Sequence, residues 1–441
     1  MQTFHVRTFG CQMNKHDAER VSGLLRTQGL TPVDRPEDAD VVVFMTCCVR
    51  ENADERLTGT VTSLAHLKET HPGALIAVGG CIGQRDGNTL LRQLPNIDVV
   101  FGTHNVSHLP ALLDAAASGR RVSEVLEASQ EFTSDLPSER EHSWHAWVPI
   151  TVGCNNFCSY CVVPYVRGRE RSRPLDAIVE ECRSLAAEGT LEVTLLGQNV
   201  NSYGRDLYGE PRFAEVLQAV GATGIQRIRF ATSHPKDLSR DTIRAMAETP
   251  QVAKALHLPV QSGSNRILEA MNRVYTRERY LDLVRDLYEV MPGLALSTDI
   301  IVGFPGETDE DFEETLDVVE QARYDQAFTF IYSPRAGTPA ADMPGRVPHE
   351  VTQARFGRLV EAVKRSALAK NQALVGTVQR VLVEGASKRD AGMLAGRSDG
   401  NKVVHAPVPD GHKAQEFAGR FCDVMVEKAQ TWFLAGTLVG R

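Results

Sequence analysis

The chain has 441 residues, 42% of them hydrophobic and 24% charged, with a net charge of −8. That length points to roughly three domains at ~150 residues each, and the composition is that of a globular protein, not of a disordered or fibrous one. No apolar run approaches the ~18 residues that span a bilayer, and Met1-Gln2-Thr3-Phe4-His5-Val6 lacks the charged-then-apolar plan of a signal peptide, so a cytoplasmic protein with reduced thiols and no membrane partner is expected.

Residues 1–130 alternate strand and helix signals. Strands are predicted over His5–Gly10, Asp40–Met45, Ala74–Gly80 and Asp98–Gly102, with helices over Lys15–Gln28, Asn52–His71 and Val106–Ala117. The short, continuously apolar strands are those of a buried parallel sheet, and the βα alternation predicts a doubly wound fold. Cys11, Cys47 and Cys81 each follow one of these strands. Open parallel sheets bind ligands at the carboxyl ends of their strands. Any one of the three alone reads as an inert buried thiol, but the same topological position shared by all three points to a common site, an iron–sulfur cluster with one iron left open. Cys48, next to Cys47, is the alternative ligand.

Residues 131–145 form a polar, acidic linker. A second βα series fills 146–372, with strands predicted over Val148–Val152, Glu192–Leu196, Arg227–Thr232, Ala255–Val260, Leu294–Val302 and Gln326–Tyr332. Helices are expected between them, among them Leu175–Glu188 and Arg277–Val290. Six units predict a partial (β/α)6 barrel, whose chemistry belongs at the carboxyl ends of its strands. The loop after the first strand reads Gly153-Cys154-Asn155-Asn156-Phe157-Cys158-Ser159-Tyr160-Cys161, a C-x3-C-x2-C spacing. Three thiolates this close match three irons of a cubic [4Fe–4S] cluster and leave the fourth open to a cofactor. A structural zinc wants four closed ligands, and no Cys or His follows at short spacing, although His142 and His145 lie upstream. Arg167, Arg169, Arg171 and Arg173 come next. Their guanidinium forks match phosphate, although such a run is commonly a solvated face. Gly197–Asn201, Thr232–Pro235, Val260–Ser264 and Ser297–Asp299 are polar strand ends that together read as a cofactor pocket. Thr308 is the expected cap of an acidic helix over Asp309–Arg323.

Residues 373–441 change character, with short alternating strands between glycines that predict a small β-barrel. This tail holds nine Lys/Arg and seven Asp/Glu, a balance of +2 against −8 for the whole, which fits an RNA-binding module.

The cysteine loop, with Tyr160 before its last cysteine, resembles the signature of the radical S-adenosylmethionine (SAM) superfamily. The whole chain resembles the methylthiotransferases of that superfamily: an N-terminal methylthiotransferase domain, a radical SAM barrel and a C-terminal TRAM domain. Phe9-Gly10-Cys11-Gln12-Met13-Asn14, Arg167-Gly168-Arg169-Glu170, Gly197–Tyr203 and Tyr332-Ser333-Pro334-Arg335 are similar to the branch called MiaB. Met45 stands where the family usually has asparagine before Thr-Cys. The resemblance implies two [4Fe–4S] clusters, one with SAM on Cys154, Cys158 and Cys161 and an auxiliary one on Cys11, Cys47 and Cys81 that supplies sulfur. It implies a 5′-deoxyadenosyl radical that takes the C2 hydrogen of N6-isopentenyladenosine at position 37 of tRNA, giving the 2-methylthio product. Tyr160, Gln198, Ser233, Gln261 and Asp299 are the expected SAM contacts, and Arg167 and Arg169 the expected RNA contacts. The implied partners are tRNA, through its anticodon loop, a one-electron reductant such as flavodoxin or ferredoxin, and a sulfur donor system. The alternative substrates are threonylcarbamoyladenosine in tRNA and a ribosomal protein side chain.

Overall fold

The computed structural model describes residues 1–48, 53–129 and 131–439. The first sheet holds β1 (Thr3–Thr8), β2 (Thr31–Pro32), β3 (Val41–Thr46), β4 (Leu75–Gly80), β5 (Val99–Phe101) and β6 (Val122–Glu124). All pairings are parallel, in the order β2-β1-β3-β4-β5-β6. Every residue of β3 and β4 is buried. Val42, Phe44, Ile76 and Val78 enter one helix-covered core, while Val41, Val43, Met45, Leu75 and Ala77 enter the opposite one. This is the two-sided burial that makes a strand read as a continuous apolar run. Strand order reverses between β1 and β3, and the crevice outside the carboxyl ends at such a reversal is where open α/β sheets bind ligands. Cys11 follows β1 and Cys47 follows β3.

Two local expectations are corrected. The helix after β1 runs Gln12–Thr27, with Cys11 itself as its extended N-cap residue. The long helix expected up to His71 is broken at Leu64 into Ala53–Ser63 and Ala65–Thr70, after a run of weak helix formers, Thr58-Gly59-Thr60-Val61-Thr62; Asn52, its expected start, lies outside the described residues.

The central barrel uses β7 (His145–Pro149), β10 (Glu192–Leu196), β11 (Arg227–Phe230), β12 (Ala255–His257), β13 (Ala295–Val302) and β14 (Gln326–Ile331), all parallel, in two three-stranded halves. A bridge from Ile228 to Val252 joins the halves. The first barrel strand begins at His145, three residues before the expected Val148. Ala146 and Val148 are the buried positions of its alternation, and the polar and aromatic residues between them disguise it as linker. Beyond Pro149 the chain leaves the barrel. There β8 (Thr151–Val152) pairs antiparallel with β9 (Arg171–Ser172) and closes off the cysteine loop. Flanking helices such as Leu175–Ala187 pack Ile178, Cys182 and Leu185 into one large core. Thr308 caps Asp309–Ala322 in a reciprocal capping box with Asp311.

The tail forms a closed barrel from β15 (Val378–Ala386), β16 (Met393–Ser398), β17 (Val403–Pro407), β18 (Phe421–Ala429) and β19 (Phe433–Val439). Its β16–β17 turn seats on the amino ends of the central strands. Arg227, at the start of β11, donates to the Arg397 carbonyl at 3.0 Å and to Asp399 at 3.1 Å; Arg229 donates to the Ser398 carbonyl at 2.7 Å. Lys402 pairs with Asp325 at 2.7 Å. Among the described residues no helix is long and apolar enough to cross a membrane.

Candidate active site

Cys154, Cys158 and Cys161 lie on one tight loop at the carboxyl mouth of the central barrel. Gly153 turns the chain into it at φ +84°, where a Cβ would stand 2.1 Å from the Arg169 carbonyl; only glycine fits there. The Cys154 N–H donates to the Gly168 carbonyl (3.1 Å) and the Cys161 N–H to that of Cys158 (2.9 Å). Ser159 anchors the middle, its N–H on the Met271 carbonyl (3.0 Å) and its hydroxyl on that of Ala270 (2.8 Å). Burial pushes the Cys154 thiol up to about 11 and that of Cys161 up to about 12, and the nearby Cys158 sulfur adds to both shifts. A coordinated metal removes such protons outright. Buried Arg273 points a guanidinium nitrogen at the Cys158 sulfur, 3.5 Å away, while it donates to the Pro259 carbonyl and to the Tyr275 hydroxyl, both at 3.0 Å.

The second thiol group gathers at the sheet reversal. Cys81 opens the helix Cys81–Asp86 directly after β4. Gly80 before it stands at φ +87°, with no room for a Cβ, which would meet the Thr46 carbonyl at 2.6 Å. A hydrogen bond with Cys47 draws the Cys11 thiol down to about 6, and one with Cys48 draws Cys81 down to about 7. Cys47 thus meets Cys11, and Cys48 meets Cys81. In both cases Arg167 adds its positive charge to the lowering. Among the described residues no three thiol, imidazole or carboxylate groups close on one point as the ligands of a single ion would. The ligands of a cubic cluster each take a different iron and stand further apart.

Arg167 lies six positions after Cys161. The short helix Val163–Arg167 between them leaves the central barrel and enters the first domain. Val162 and Val166 pack in the first domain's core beside Phe44, Cys48 and Cys81. The Thr103 hydroxyl donates to the Val166 carbonyl at 2.7 Å. Arg167 is 5% exposed and donates to Asn14 at 2.7 Å and Asp17 at 2.9 Å. Its guanidinium is committed inside the protein, so the expectation that it contacts RNA is corrected: its partners sit on a helix 150 positions earlier in the chain, which no local pattern reveals. Arg173 is likewise buried, on Glu181 and the Pro149 carbonyl. Arg169 is exposed and lies 4.4 Å over the Phe157 ring, which meets exposed Tyr165 edge-on at 6.2 Å.

The expected SAM contacts divide. Tyr160 packs against Ile267, Met271, Phe304 and Ala340. Gln198 accepts from the Gly153 N–H at 2.6 Å and so holds the loop. Ser233 is buried, and its hydroxyl has no protein partner. Gln261 adopts φ +70° and bonds through its backbone to Asp299 and Ile301. Asp299 lies within β13, 3.4 Å from the His257 ring. Four further buried atoms at this mouth have no protein partner: Thr151 Oγ1, Asn199 Oδ1, Asn201 Nδ2 and His234 Nε2. Each buried, unpaired polar group costs about 1–3 kcal/mol, so five on adjacent strand ends describe a site built for a polar ligand. Except for Thr151 they stand in the polar motifs singled out from the sequence; Arg273 stands in none.

An open six-stranded barrel carrying a three-cysteine loop is the scaffold of the radical SAM class, and the model of the Radical SAM superfamily matches residues 148–319. The uncharacterized protein family UPF0004 matches 3–102 and the TRAM domain 372–439. The tRNA-2-methylthio-N(6)-dimethylallyladenosine synthase of Acidothermus cellulolyticus is 52% identical, over 93% of this chain and 83% of its own. The protein of that name from Moorella thermoacetica is 47% identical, over 99% and 98%. The chain belongs to the family of these synthases. In fold it is similar to the radical S-adenosylmethionine methyltransferase TsrM from Kitasatospora setae, at a TM-score of 0.56 and 14% identity over 86% of this chain and 81% of that one.

Proposed function

We propose that this protein methylthiolates C2 of N6-isopentenyladenosine at position 37 of tRNA, with two [4Fe–4S] clusters and SAM. The observation that carries the reading is the direct covalent and packed connection between the two cysteine groups, through Val163–Arg167. Cys154, Cys158 and Cys161 would hold one cluster, and Cys11, Cys47 and Cys81 the other. Bound there, these groups supply what side chains lack: one-electron scission of SAM for an unactivated aryl C–H bond, and sulfur for transfer.

The chain's own residues provide the rest. Arg273 places a fixed cation beside Cys158. The unpaired atoms of Thr151, Asn199, Asn201, Ser233 and His234 receive the polar groups of SAM. Burial takes His234 down to about 2, so this ring stays neutral and serves as a hydrogen-bonding group. Tyr160 supplies a packed wall behind the loop. Arg169, Phe157 and Tyr165 offer a cation and two rings at the rim, where an unstacked anticodon-loop base can lie. Electrons come from a reductant of the flavodoxin or ferredoxin kind, and replacement sulfur from a donor system.

The test is mass analysis of nucleosides from tRNA containing N6-isopentenyladenosine, after anaerobic incubation with reconstituted protein, SAM and reductant. Conversion to the 2-methylthio nucleoside is expected. Formation of 5′-deoxyadenosine with no modified nucleoside would overturn the substrate and move it to another tRNA adenosine or a protein.

A further inference from the structure

Arg167 belongs to a buried chain of charges that crosses from the first domain to the barrel. It donates to Asp17 at 2.9 Å. His16 Nδ1 lies 3.2 Å from the other Asp17 oxygen, and Arg20 donates to His16 Nε2 at 3.3 Å, so His16 is neutral and gives its one proton to Asp17. Burial keeps it neutral by pushing its pKa down. Arg20 then donates to Glu181 at 2.9 Å, and Arg173 donates to the other Glu181 oxygen at 2.7 Å. Three guanidinium groups face two carboxylates, which leaves one positive charge in excess. A buried, uncompensated charge is costly unless an anion answers it. Cys81 shares a packed core with Val166, the residue before Arg167; Asn14, which accepts from Arg167, lies with Cys47 against Gly10, next to Cys11; and both Cys11 and Cys81 act on the Arg167 charge.

We propose that Arg167, a residue of the barrel domain, is the counter-charge of the thiolate centre built on the first domain by Cys11, Cys47 and Cys81, and positions that centre against the barrel. The inference rests on reading those cysteines as cluster ligands. Three thiolates outweigh the charge of an iron–sulfide core, so the filled site is anionic and the excess charge of the buried chain meets its match. Net charge and hydrogen bonds to sulfur are the protein's means of setting the potential of such a centre. Arg167 is therefore a positioning residue with an electrostatic signature, in contrast to an inert brace between domains.

The experiment uses full-length protein with Cys154, Cys158 and Cys161 replaced by alanine, reconstituted anaerobically so that only the second centre takes up iron. Its midpoint potential is then read by EPR-monitored titration, without RNA, in the parent and in Arg167→Gln, Arg167→Lys and Asp17→Asn. Arg167→Gln is expected to lower the potential, because a positive neighbour is lost. Asp17→Asn is expected to raise it, because Arg167 stays on Asn14 with its charge less compensated. Arg167→Lys is expected to stay near the parent. If Arg167→Gln does not fold, the upward shift in Asp17→Asn still decides. Potentials that do not move, or that move the same way in both variants, would overturn the proposal; so would a parent that binds no iron. Because no RNA is present, failure of the nucleoside assay would leave this result intact, and the two readings fall separately.

Discussion

Glu192→Gln tests how the small barrel is held on. Glu192 opens β10 and is 9% exposed; one of its carboxylate oxygens accepts from both Arg227 and Arg229. Those arginines, two apart on β11, also donate to the Arg397 and Ser398 carbonyls and to Asp399 of the small barrel. Glutamine keeps the shape and removes the charge, so two buried guanidinium groups are left side by side with only half-exposed Asp399 as an anion. Removing one partner of a buried pair costs about 3–5 kcal/mol; because glutamine still accepts one bond, about 3 kcal/mol is expected. For a domain of this size that is a fall of roughly 6–12 °C in Tm. Three packed units do not unfold in one step, so calorimetry should show the loss in the transition of the two barrels, with that of the first domain unmoved. Trypsin should also cut faster beyond the helix His349–Gln372. Against burial, which favours the neutral acid, Arg229 and Arg227 hold Glu192 below its ordinary value of 4.5. The pair's contribution is therefore complete above that value and is lost as pH falls through the lower folded one, so parent and variant converge only in acid. A change under about 1 kcal/mol, or a shift confined to the first domain, would refute the reasoning.

Gly153→Ala drives a Cβ to 2.1 Å from the Arg169 carbonyl; the cysteine loop has to shift, and about half the iron and all SAM cleavage are expected to be lost, as read by iron analysis and 5′-deoxyadenosine release. Cys47→Ala should likewise lose about half the iron. Cys48→Ala, which empties a position packed against the helix-side core, should keep the iron and lower the urea midpoint by about 1 kcal/mol of stability; the opposite pattern would exchange their roles. Burial takes His145, whose Nε2 lies 3.0 Å from the Thr194 hydroxyl, from 6.5 down to about 4. Its neutral form is needed by the fold, so stability should fall from pH 6.5 towards 4 by up to about 3 kcal/mol, and His145→Gln should flatten that slope in urea titrations.

The parts of this molecule legible in its sequence are those written by local rules. The apolar runs of β3 and β4 announce a sheet buried on both faces, and a cysteine after each strand end needs no long-range knowledge to be placed on one edge. The loop Cys154–Cys161 carries its chemistry in its spacing. Where long-range pairing decides, the sequence is silent. Arg167 and Arg173 look like neighbours in a basic run, yet they are buried on Asp17 and Glu181, carboxylates on two different helices. Arg273 shows no motif, because what sets it apart is a sulfur 115 positions away. His145 reads as linker and Trp147 falls before the predicted strand, because one face of this strand is polar and aromatic, with His145 on the Thr194 hydroxyl and Lys15 of the first domain over the Trp147 ring, and that shifted the first barrel strand by three positions.

The turn of the small barrel sits on the starts of β10 and β11, whereas the cysteine loop leaves at the opposite mouth. The longest wall strand, β13, has eight residues, which at ~3.3 Å per residue makes the wall roughly 25 Å tall. The protein is in this sense a caliper: its two jaws are joined by a stiff wall, and the guanidinium–carboxylate bolts at Glu192 fix the gap. A ligand gripped by both jaws is gauged for length along the outside of the wall, so a free nucleoside, which reaches only one jaw, forgoes the other's grip however well its base fits.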